Sequence, residues 1–461
     1  MLKNITNKIG EFWLPEDETN YFNGQIEKEN ENFTFKTIEK NFKTYNQDYI
    51  LVNGIVENSE LTLIIFKMIT SGTFATVSNM QYPILYLFEG FFKRIDEISF
   101  DNIVIDIDNI SSVINLDSLN GEIGENNVFS ISYSLDSISF DLNDFNLRIF
   151  KKLIESNKLL GNGNSITLNE KILLKLTYFE NANIKTLNQD MKIIKDFFSF
   201  LTGKSHIIHI YRTENRINKS IFIPLVDENI DNNRKVHTNI SINKDNAEKM
   251  FKSWWNNYKN LFDVYYSYFS AIKTKDIITS FLTFSRILES YHRHRYEGLY
   301  VSPEDFAKVS DDFINCATKV EYLDSIVSKD NKGDYLNKLR NSIQYSNEFT
   351  FSDRLKELFE SLLNLDFFKE ILMNFGNEKD LNSSLNNLKK IVKANRNYYT
   401  HYGKKEEGVC DEIGVLELRD ALKFIIELIF FKELGYSDEE INEITSKNNR
   451  FQLNKYYTLR Y

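Results

Sequence analysis

The spacing of apolar residues changes near residue 245 of this 461-residue chain, and this change constrains the fold more than any other feature. From Phe33 to Leu142, short runs of β-branched and aromatic residues alternate with Asn, Gly, Ser and Asp clusters, which is typical of strands. From residue 246 onward apolar residues recur at three- and four-residue spacing, which predicts helices. The sequence therefore predicts an α+β protein with a β-rich, sandwich- or barrel-like domain at residues 1–245 and an all-α bundle at residues 246–461.

Six segments carry the clearest strand pattern, and alternation in two of them indicates a sheet with one solvated face. Residues 165–178 predict one or two more strands, residues 186–203 predict a helix that ends at Gly203, and residues 206–212 and 220–225 predict strands. His206 and His209 differ by an odd number, so in a strand they face opposite sides and form no ligand pair. The six segments are FTFKTI at 33–38, YILVNGIV at 49–56, ELTLIIF at 60–66, IVIDI at 103–107, VFSISY at 128–133 and ISFDL at 138–142.

The composition argues against several classes of protein. Cys316 and Cys410 have no histidine at ligand spacing, so they indicate neither a disulfide framework nor a zinc site. No segment reaches the ~20 apolar residues of a membrane span, and no signal peptide is evident. We expect a soluble, cytoplasmic protein without metal or cofactor. The net charge is −10, and residues 1–245 hold 25 Lys and Arg against 33 Asp and Glu, so any RNA contact must come from local basic patches.

Residues 381–405 combine an apolar stripe with a polar helix end. Asn397 and His401 stand four positions apart and share one face of the predicted helix, with Arg396 one position round, so the three polar heads can converge. Gly403 is predicted to end this helix. The stripe consists of Leu385, Leu388, Ile391 and Val392, and the opposite face carries Lys389, Lys390 and Lys393.

Arginine, histidine and lysine together suit RNA cleavage. The reaction moves one proton from the 2′-hydroxyl and one to the 5′-oxygen while negative charge builds on the phosphate. Histidine titrates near neutral pH, and arginine donates two hydrogen bonds to a phosphate. A second pair, Arg286 and His292, lies inside a predicted helix and lacks the adjacent asparagine, so we interpret it as background and keep it as an alternative site.

An arginine separated from a histidine by four to six residues at a helix end, in an all-helical C-terminal half, resembles the signature of HEPN ribonucleases. The resemblance implies a metal-independent endoribonuclease whose products end in 2′,3′-cyclic phosphate and 5′-hydroxyl. It implies His401 as general acid or base, Arg396 as phosphate clamp and Asn397 as a positioning donor. Glu289 lies beside an apolar helix face, where it either pairs with this arginine or histidine or is an exposed charge. The remaining candidates are Tyr402 as a supporting residue and Lys389, Lys390, Lys393, Lys404 and Lys405 as RNA contacts.

The N-terminal half resembles the first domain of the ApeA family of bacterial anti-phage proteins. This resemblance implies activation during phage infection, with growth arrest as the result. We predict that the first domain senses a phage-derived trigger or restrains the nuclease site, since residues 101–147 hold nine acidic and no basic side chains. Transfer RNA is the leading candidate substrate. The residues that match are Trp13, Pro15, Gly24, Ile26, Gly54, Val56, Leu61, Thr62 and Leu63.

One Arg–His pair supplies one clamp and one proton-transfer group, whereas cleavage needs both an acid and a base. We therefore predict a homodimer, or a dimer of dimers, that places two copies of His401 around one phosphate. The rival hypothesis is a non-catalytic HEPN-like dimerisation or binding module with a ligand-recognising β domain. An aromatic helix face is either core, a dimer contact or a base-stacking platform, and it consists of Trp254, Tyr258, Phe262, Tyr265 and Phe269.

Overall fold

The chain divides into two compact units, residues 1–255 and 256–461. The predicted domain boundary after residue 245 lies shortly before this division. The computed structural model describes residues 5–29, 32–37, 42, 49–66, 80–116, 119–123, 129–133, 136–156, 168–206, 208–214, 240–319, 329–376, 380–405 and 407–452.

Six antiparallel strands of the first unit form a closed barrel in the order β1-β2-β3-β6-β5-β4, and pairing between β1 and β4 closes it. Inward-facing apolar side chains fill the barrel. Gly24 and Gly54 flank Phe12, and a Cβ atom at either glycine would collide with aromatic rings, so the two glycines make room for this core. The strands are β1 (Ile9–Leu14), β2 (Asp17–Glu29), β3 (Asn32–Thr37), β4 (Tyr49–Val56), β5 (Ser59–Phe66) and β6 (Met80–Glu89).

The rest of the first unit contains a five-stranded antiparallel sheet, a two-stranded ladder and helix α1 (Ile184–Thr202). Asn183 caps the start of α1 by accepting a hydrogen bond from the Thr186 N–H, and Gly203 ends it at φ 70°, as predicted. The sheet order is β10-β11-β12-β7-β13, and β8 pairs with β9. The strands are β7 (Ser99–Ile107), β8 (Leu119–Ile123), β9 (Phe129–Tyr133), β10 (Ser137–Asp141), β11 (Phe145–Ser156), β12 (Leu168–Asn183) and β13 (Ile208–Glu214).

All six strand segments singled out in the sequence are strands, and the barrel confirms the predicted β-rich first domain. Five strands, β1, β2, β6, β8 and β11, were not predicted. His206 lies before β13 rather than in it; its side chain is buried and its ring nitrogens contact the Asp108 carbonyl and the Thr202 hydroxyl. The side chain of His209 and the predicted strand at 220–225 lie outside the described residues.

From residue 247 onward the described secondary structure is helical. Residues 351–374 form two helices, which are separated near Leu362. The helices are α2 (Ala247–Asn260), α3 (Phe262–Ala271), α4 (Ile277–Arg295), α5 (Pro303–Thr318), α6 (Lys329–Gln344), α7 (Phe351–Glu360), α8 (Asp366–Asn374), α9 (Leu381–His401), α10 (Glu412–Glu433) and α11 (Asp438–Lys447).

The aromatic helix face belongs to the interior of the chain. Trp254 is buried in the first unit, where its indole N–H donates to the Ile193 carbonyl. In the second unit, Tyr265 stacks on Phe430 with 4.3 Å between ring centroids, and Tyr258 stacks on Tyr265. Of the three alternatives for this face, the structure therefore supports core, since only Phe262 among its five members is exposed.

Candidate active site

Helix α9 places the predicted site at its C-terminal end. Asp380 caps its start by accepting from two backbone N–H groups, and Leu385, Leu388 and Val392 are buried, as the apolar stripe predicted. The helix ends at His401. Tyr402 follows it in the left-handed region at φ 47°, so Tyr402, and not Gly403, is the residue that reverses the chain. A non-glycine residue there costs about 1–2 kcal/mol.

Arg396 is held in place by α4 and α7. Its Nη2 donates to Glu289 Oε2 at 2.7 Å, and its guanidinium lies 4.4 Å from the centroid of the Phe351 ring. The side chains of Arg396 and Glu289 are 32% and 19% exposed. Of the two interpretations of Glu289, the structure supports pairing with the arginine. The guanidinium is thus held in one orientation by its own chain, while part of it stays open to solvent.

This ion pair is the outer end of a longer polar network. Arg293 also reaches Glu289, at 3.4 Å, and donates to Glu348 Oε2 at 2.7 Å. The buried Arg354 donates to the same Glu348 oxygen at 3.3 Å and to His292 Nδ1 at 3.0 Å. Buried charges are retained where several partners satisfy them, so the network joins α4 to α7 and supports Glu289 from behind.

His292 is enclosed by the bundle. Its side chain is 0% exposed, and its Nε2 lies 2.7 Å from Glu357 Oε2. Burial is the largest effect on the ring and lowers its pKa below 6.5, with the Glu357 hydrogen bond opposing that shift. Arg286 is exposed on the same helix. The pair Arg286 and His292 therefore does not form a substrate-accessible site, and the role of His292 is to anchor the network.

His401 and Asn397 face solvent, unlike Arg396. Both side chains are exposed, and within the described residues neither has a hydrogen bond to another side chain. On an ideal helix Arg396 and His401 differ by about 140° and Asn397 and His401 by about 40°. The structure places both Asn397 and His401 on α9 with exposed side chains, as residues that share a solvent-facing side would be. Arg396, in contrast, turns toward Glu289 inside its own chain.

The candidate RNA-binding lysines differ in their surroundings. Lys389, Lys393, Asn397 and His401 recur every four residues, so they lie along one side of α9 that ends at the histidine. Lys390 lies 3.8 Å from Glu407 in an exposed ion pair. Three further lysines are exposed and form no ion pair within the described part of the chain: Lys393, Lys404 and Lys405.

Asn395 fixes the loop that follows the site, a role that the sequence did not indicate. Its side chain is 0% exposed. The amide nitrogen donates to the carbonyls of Ile391 and Gly408 at 2.9 Å, and the amide oxygen accepts from the Cys410 N–H at 2.9 Å. Tyr399 adds a bond from its hydroxyl to the Cys410 carbonyl. The loop with Lys404 and Lys405 is thereby tied back onto α9.

Within the described ranges, no group of three or more His, Cys, Asp or Glu side chains is arranged to hold a metal ion. None of the described helices is long and apolar enough to span a membrane.

Two family profiles match the chain. The profile described as Apea-like HEPN covers residues 282–440, which include Glu289, Arg396 and His401. The profile described as ApeA N-terminal domain 1 covers residues 7–258, which is more than half of the chain. The chain belongs to the ApeA family. Searches of curated proteins and of solved structures found no match.

The two matches confirm the resemblances seen in both halves of the sequence. A HEPN module joined to an ApeA domain indicates anti-phage defence. HEPN domains are usually ribonucleases and are often dimeric. In this ApeA protein the HEPN match includes both the buried network and the exposed helix end.

Proposed function

We propose that this ApeA-family protein is a metal-independent endoribonuclease that acts in anti-phage defence. The observation that carries the proposal is the end of α9, where an exposed His401 follows Lys393 and Asn397 along one side while Arg396 is oriented by Glu289. A cationic side leads an RNA backbone toward a group that transfers protons near neutral pH. The products would carry 2′,3′-cyclic phosphate and 5′-hydroxyl ends.

The roles of the side chains follow from their positions. His401 moves a proton at the 2′-oxygen or the 5′-oxygen, and Asn397 donates a hydrogen bond beside it. Arg396 donates its free N–H groups to the phosphate as negative charge builds. Because Glu289 already holds one guanidinium nitrogen, little reorganisation is needed when the phosphate binds.

The divergence of Arg396 and His401 around α9 supports a composite site. Cleavage needs an acid and a base on opposite sides of one phosphate, and one chain presents a single exposed histidine at this helix end. We propose that two chains related by a two-fold axis bring both copies of His401 to one phosphate, in a homodimer or a dimer of dimers.

The direct test is cleavage by the purified full-length protein in EDTA. His401→Ala should lose cleavage, whereas His294→Ala should keep it, because His294 is an exposed histidine of the same unit at the end of α4. Arg396→Lys should also be impaired, since an ammonium cannot reproduce the planar fork of hydrogen bonds. Undiminished cutting by His401→Ala would overturn the proposal. Retained phage resistance in an Arg396→Ala, His401→Ala double variant would favour a binding module.

The composite site has its own test. Wild-type chains mixed with an excess of His401→Ala chains should lose activity in proportion to the fraction of dimers that still hold two wild-type chains, because a dimer with one His401 lacks either the acid or the base. Activity that falls only in proportion to the fraction of wild-type chains would contradict a shared site. Light scattering on the active species gives the oligomeric state, and an active monomer at nanomolar concentration would exclude assembly as a requirement.

We propose that the N-terminal ApeA unit controls activation in response to a phage-derived trigger. The acidic segment 101–147 could repel RNA, although Asp106 pairs with Lys171 and Asp136 with Lys244, which reduces its field. Neutralising Asp101 and Asp141 to Asn in the full chain should raise basal toxicity if repulsion restrains the site. Unchanged toxicity would leave trigger sensing as the role of this unit. Sequencing of cut ends of cellular RNA would test tRNA as the substrate.

A further inference from the structure

Three tyrosines meet at the end of α9, beside His401. The ring centroids of Tyr398 and Tyr399 lie 5.0 Å apart, and those of Tyr398 and Tyr402 lie 6.1 Å apart. Tyr402 is the outermost of the three and is 68% exposed. The cluster therefore presents an aromatic surface to solvent next to the exposed histidine.

The backbone conformation at Tyr402 does not require a tyrosine side chain. Tyr402 occupies the left-handed region at φ 47°, where its N–H donates to the Tyr398 carbonyl and closes the last turn. Glycine adopts this conformation without strain, and the chain has a glycine one position later, at Gly403. Within the described residues the Tyr402 hydroxyl has no hydrogen-bond partner. Strained positions of this kind cluster at functional sites.

The surroundings of the ring are cationic and thus suit RNA. Lys404 and Lys405 follow directly, are exposed and are unpaired within the described residues, and Lys393 precedes the cluster on α9. Proteins that bind single-stranded RNA stack unpaired bases on exposed aromatic rings and neutralise the neighbouring phosphates with lysine or arginine. Bases inside a duplex are already stacked on each other and cannot use such a surface.

We propose that Tyr402, supported by Tyr398, is a nucleobase-stacking subsite for the nucleotide next to the cleaved phosphate. This inference rests on the proposed ribonuclease function and deepens it, because it names the substrate class as RNA with an unpaired base at the cut. Tyr402 holds that base against its ring while Lys404 and Lys405 contact the flanking phosphates. The subsite thus selects loops and single strands over duplexes.

The binding test uses full-length His401→Ala protein, in which substrate persists, and a single-stranded RNA that carries 2-aminopurine. We expect quenching of the base on binding. Tyr402→Phe keeps the ring and should bind like the parent, whereas Tyr402→Gly should bind at least about fivefold more weakly, as expected for the loss of one stacked base. Tyr402→Gly should not melt at a lower temperature, since glycine relieves the strain. If the Tyr402 ring served only to stabilise the fold, Tyr402→Gly would instead melt at a lower temperature.

A matched control is Tyr345→Ala, because Tyr345 is 66% exposed in the same unit and lies away from α9 in the sequence. It should leave RNA affinity unchanged. Equal affinity of Tyr402→Gly and the parent, or equal losses in Tyr402→Phe and Tyr402→Gly, would overturn the subsite. A dimer that dissociates in Tyr402→Gly, detected by light scattering, would instead assign the ring to contact with a second copy.

A cleavage assay distinguishes the proposed stacking subsite from the proposed ribonuclease function. In the active protein, Tyr402→Gly should raise KM for single-stranded RNA and reduce the preference over duplex, with a smaller effect on kcat. If His401→Ala still cleaves, the ribonuclease assignment fails. If His401 is required and Tyr402→Gly cuts the same positions with the same KM, only the stacking subsite fails.

Discussion

The pairing of Arg396 with Glu289 should be measurable as a coupling energy. Arg396 Nη2 and Glu289 Oε2 are 2.7 Å apart, and the two side chains are 32% and 19% exposed, respectively. A charge pair near a protein surface attracts by about 4 kcal/mol before desolvation is subtracted. Exposed pairs retain at most ~1 kcal/mol and hydrogen bonds to charged groups ~1.5–3 kcal/mol. The intermediate burial of this pair therefore places its expected coupling at about 1–2 kcal/mol.

The assay is a double-mutant cycle. The free energy of unfolding of the helical unit is measured by urea titration of the full-length protein. Glu289→Gln removes the charge and keeps an acceptor, and Arg396→Met keeps apolar packing against Phe351. The matched control is the cycle on Lys390 and Glu407, whose atoms are 3.8 Å apart and which are 63% and 93% exposed. The control coupling should stay below about 0.5 kcal/mol. A Glu289–Arg396 coupling no larger than the control would refute the view that Glu289 orients the guanidinium.

Three further changes test the network and the loop. The wild-type protein should lose stability as the pH falls below 6.5. Burial lowers the pKa of His292 in the folded chain, so in this pH range the unfolded chain binds the proton more readily. The urea midpoint of the wild-type protein should therefore approach that of His292→Gln as the pH is lowered from 7.5 to 5. Gly298→Ala should cost roughly 2–3 kcal/mol in thermal unfolding, since φ is +61° and a Cβ would lie 2.6 Å from Arg354 Nη1. Asn395→Ala should cost about 2 kcal/mol and speed hydrogen exchange at the Cys410 amide.

Local patterns predicted the helix that carries the candidate site better than the residues that support it. Arg396, Asn397 and His401 are separated by a few residues on one helix, so spacing alone was enough to select them as candidates. The partner of Arg396 is 107 positions away, at Glu289, and only the packing of α4 on α9 decides which of its alternatives holds. The end of α9 was misplaced by one residue because glycine is the usual left-handed residue, whereas Tyr402 occupies that position.

The same contrast applies to the folds of both halves. Runs of β-branched and aromatic residues identified strands such as β4 and β5, but closure of the barrel depends on β1 pairing with β4, which no local pattern encodes. The sequence identified the aromatic segment as an apolar helix face, but whether that face is buried depends on what packs against it. Phe430 of α10 covers Tyr265, so a surface that looked self-complementary is interior.

Closure of the barrel also limits how the first unit can meet a partner. A ring of six strands leaves no row of unpaired backbone groups, so a foreign peptide cannot extend it as a seventh strand. Among the described strands, open edges for backbone-to-backbone docking remain at the two outer members of the five-stranded sheet, β10 and β13, and at both strands of the β8–β9 ladder. Molecules that the barrel itself recognises must be bound through side chains and loops, which makes specificity at that surface depend on sequence rather than on strand geometry.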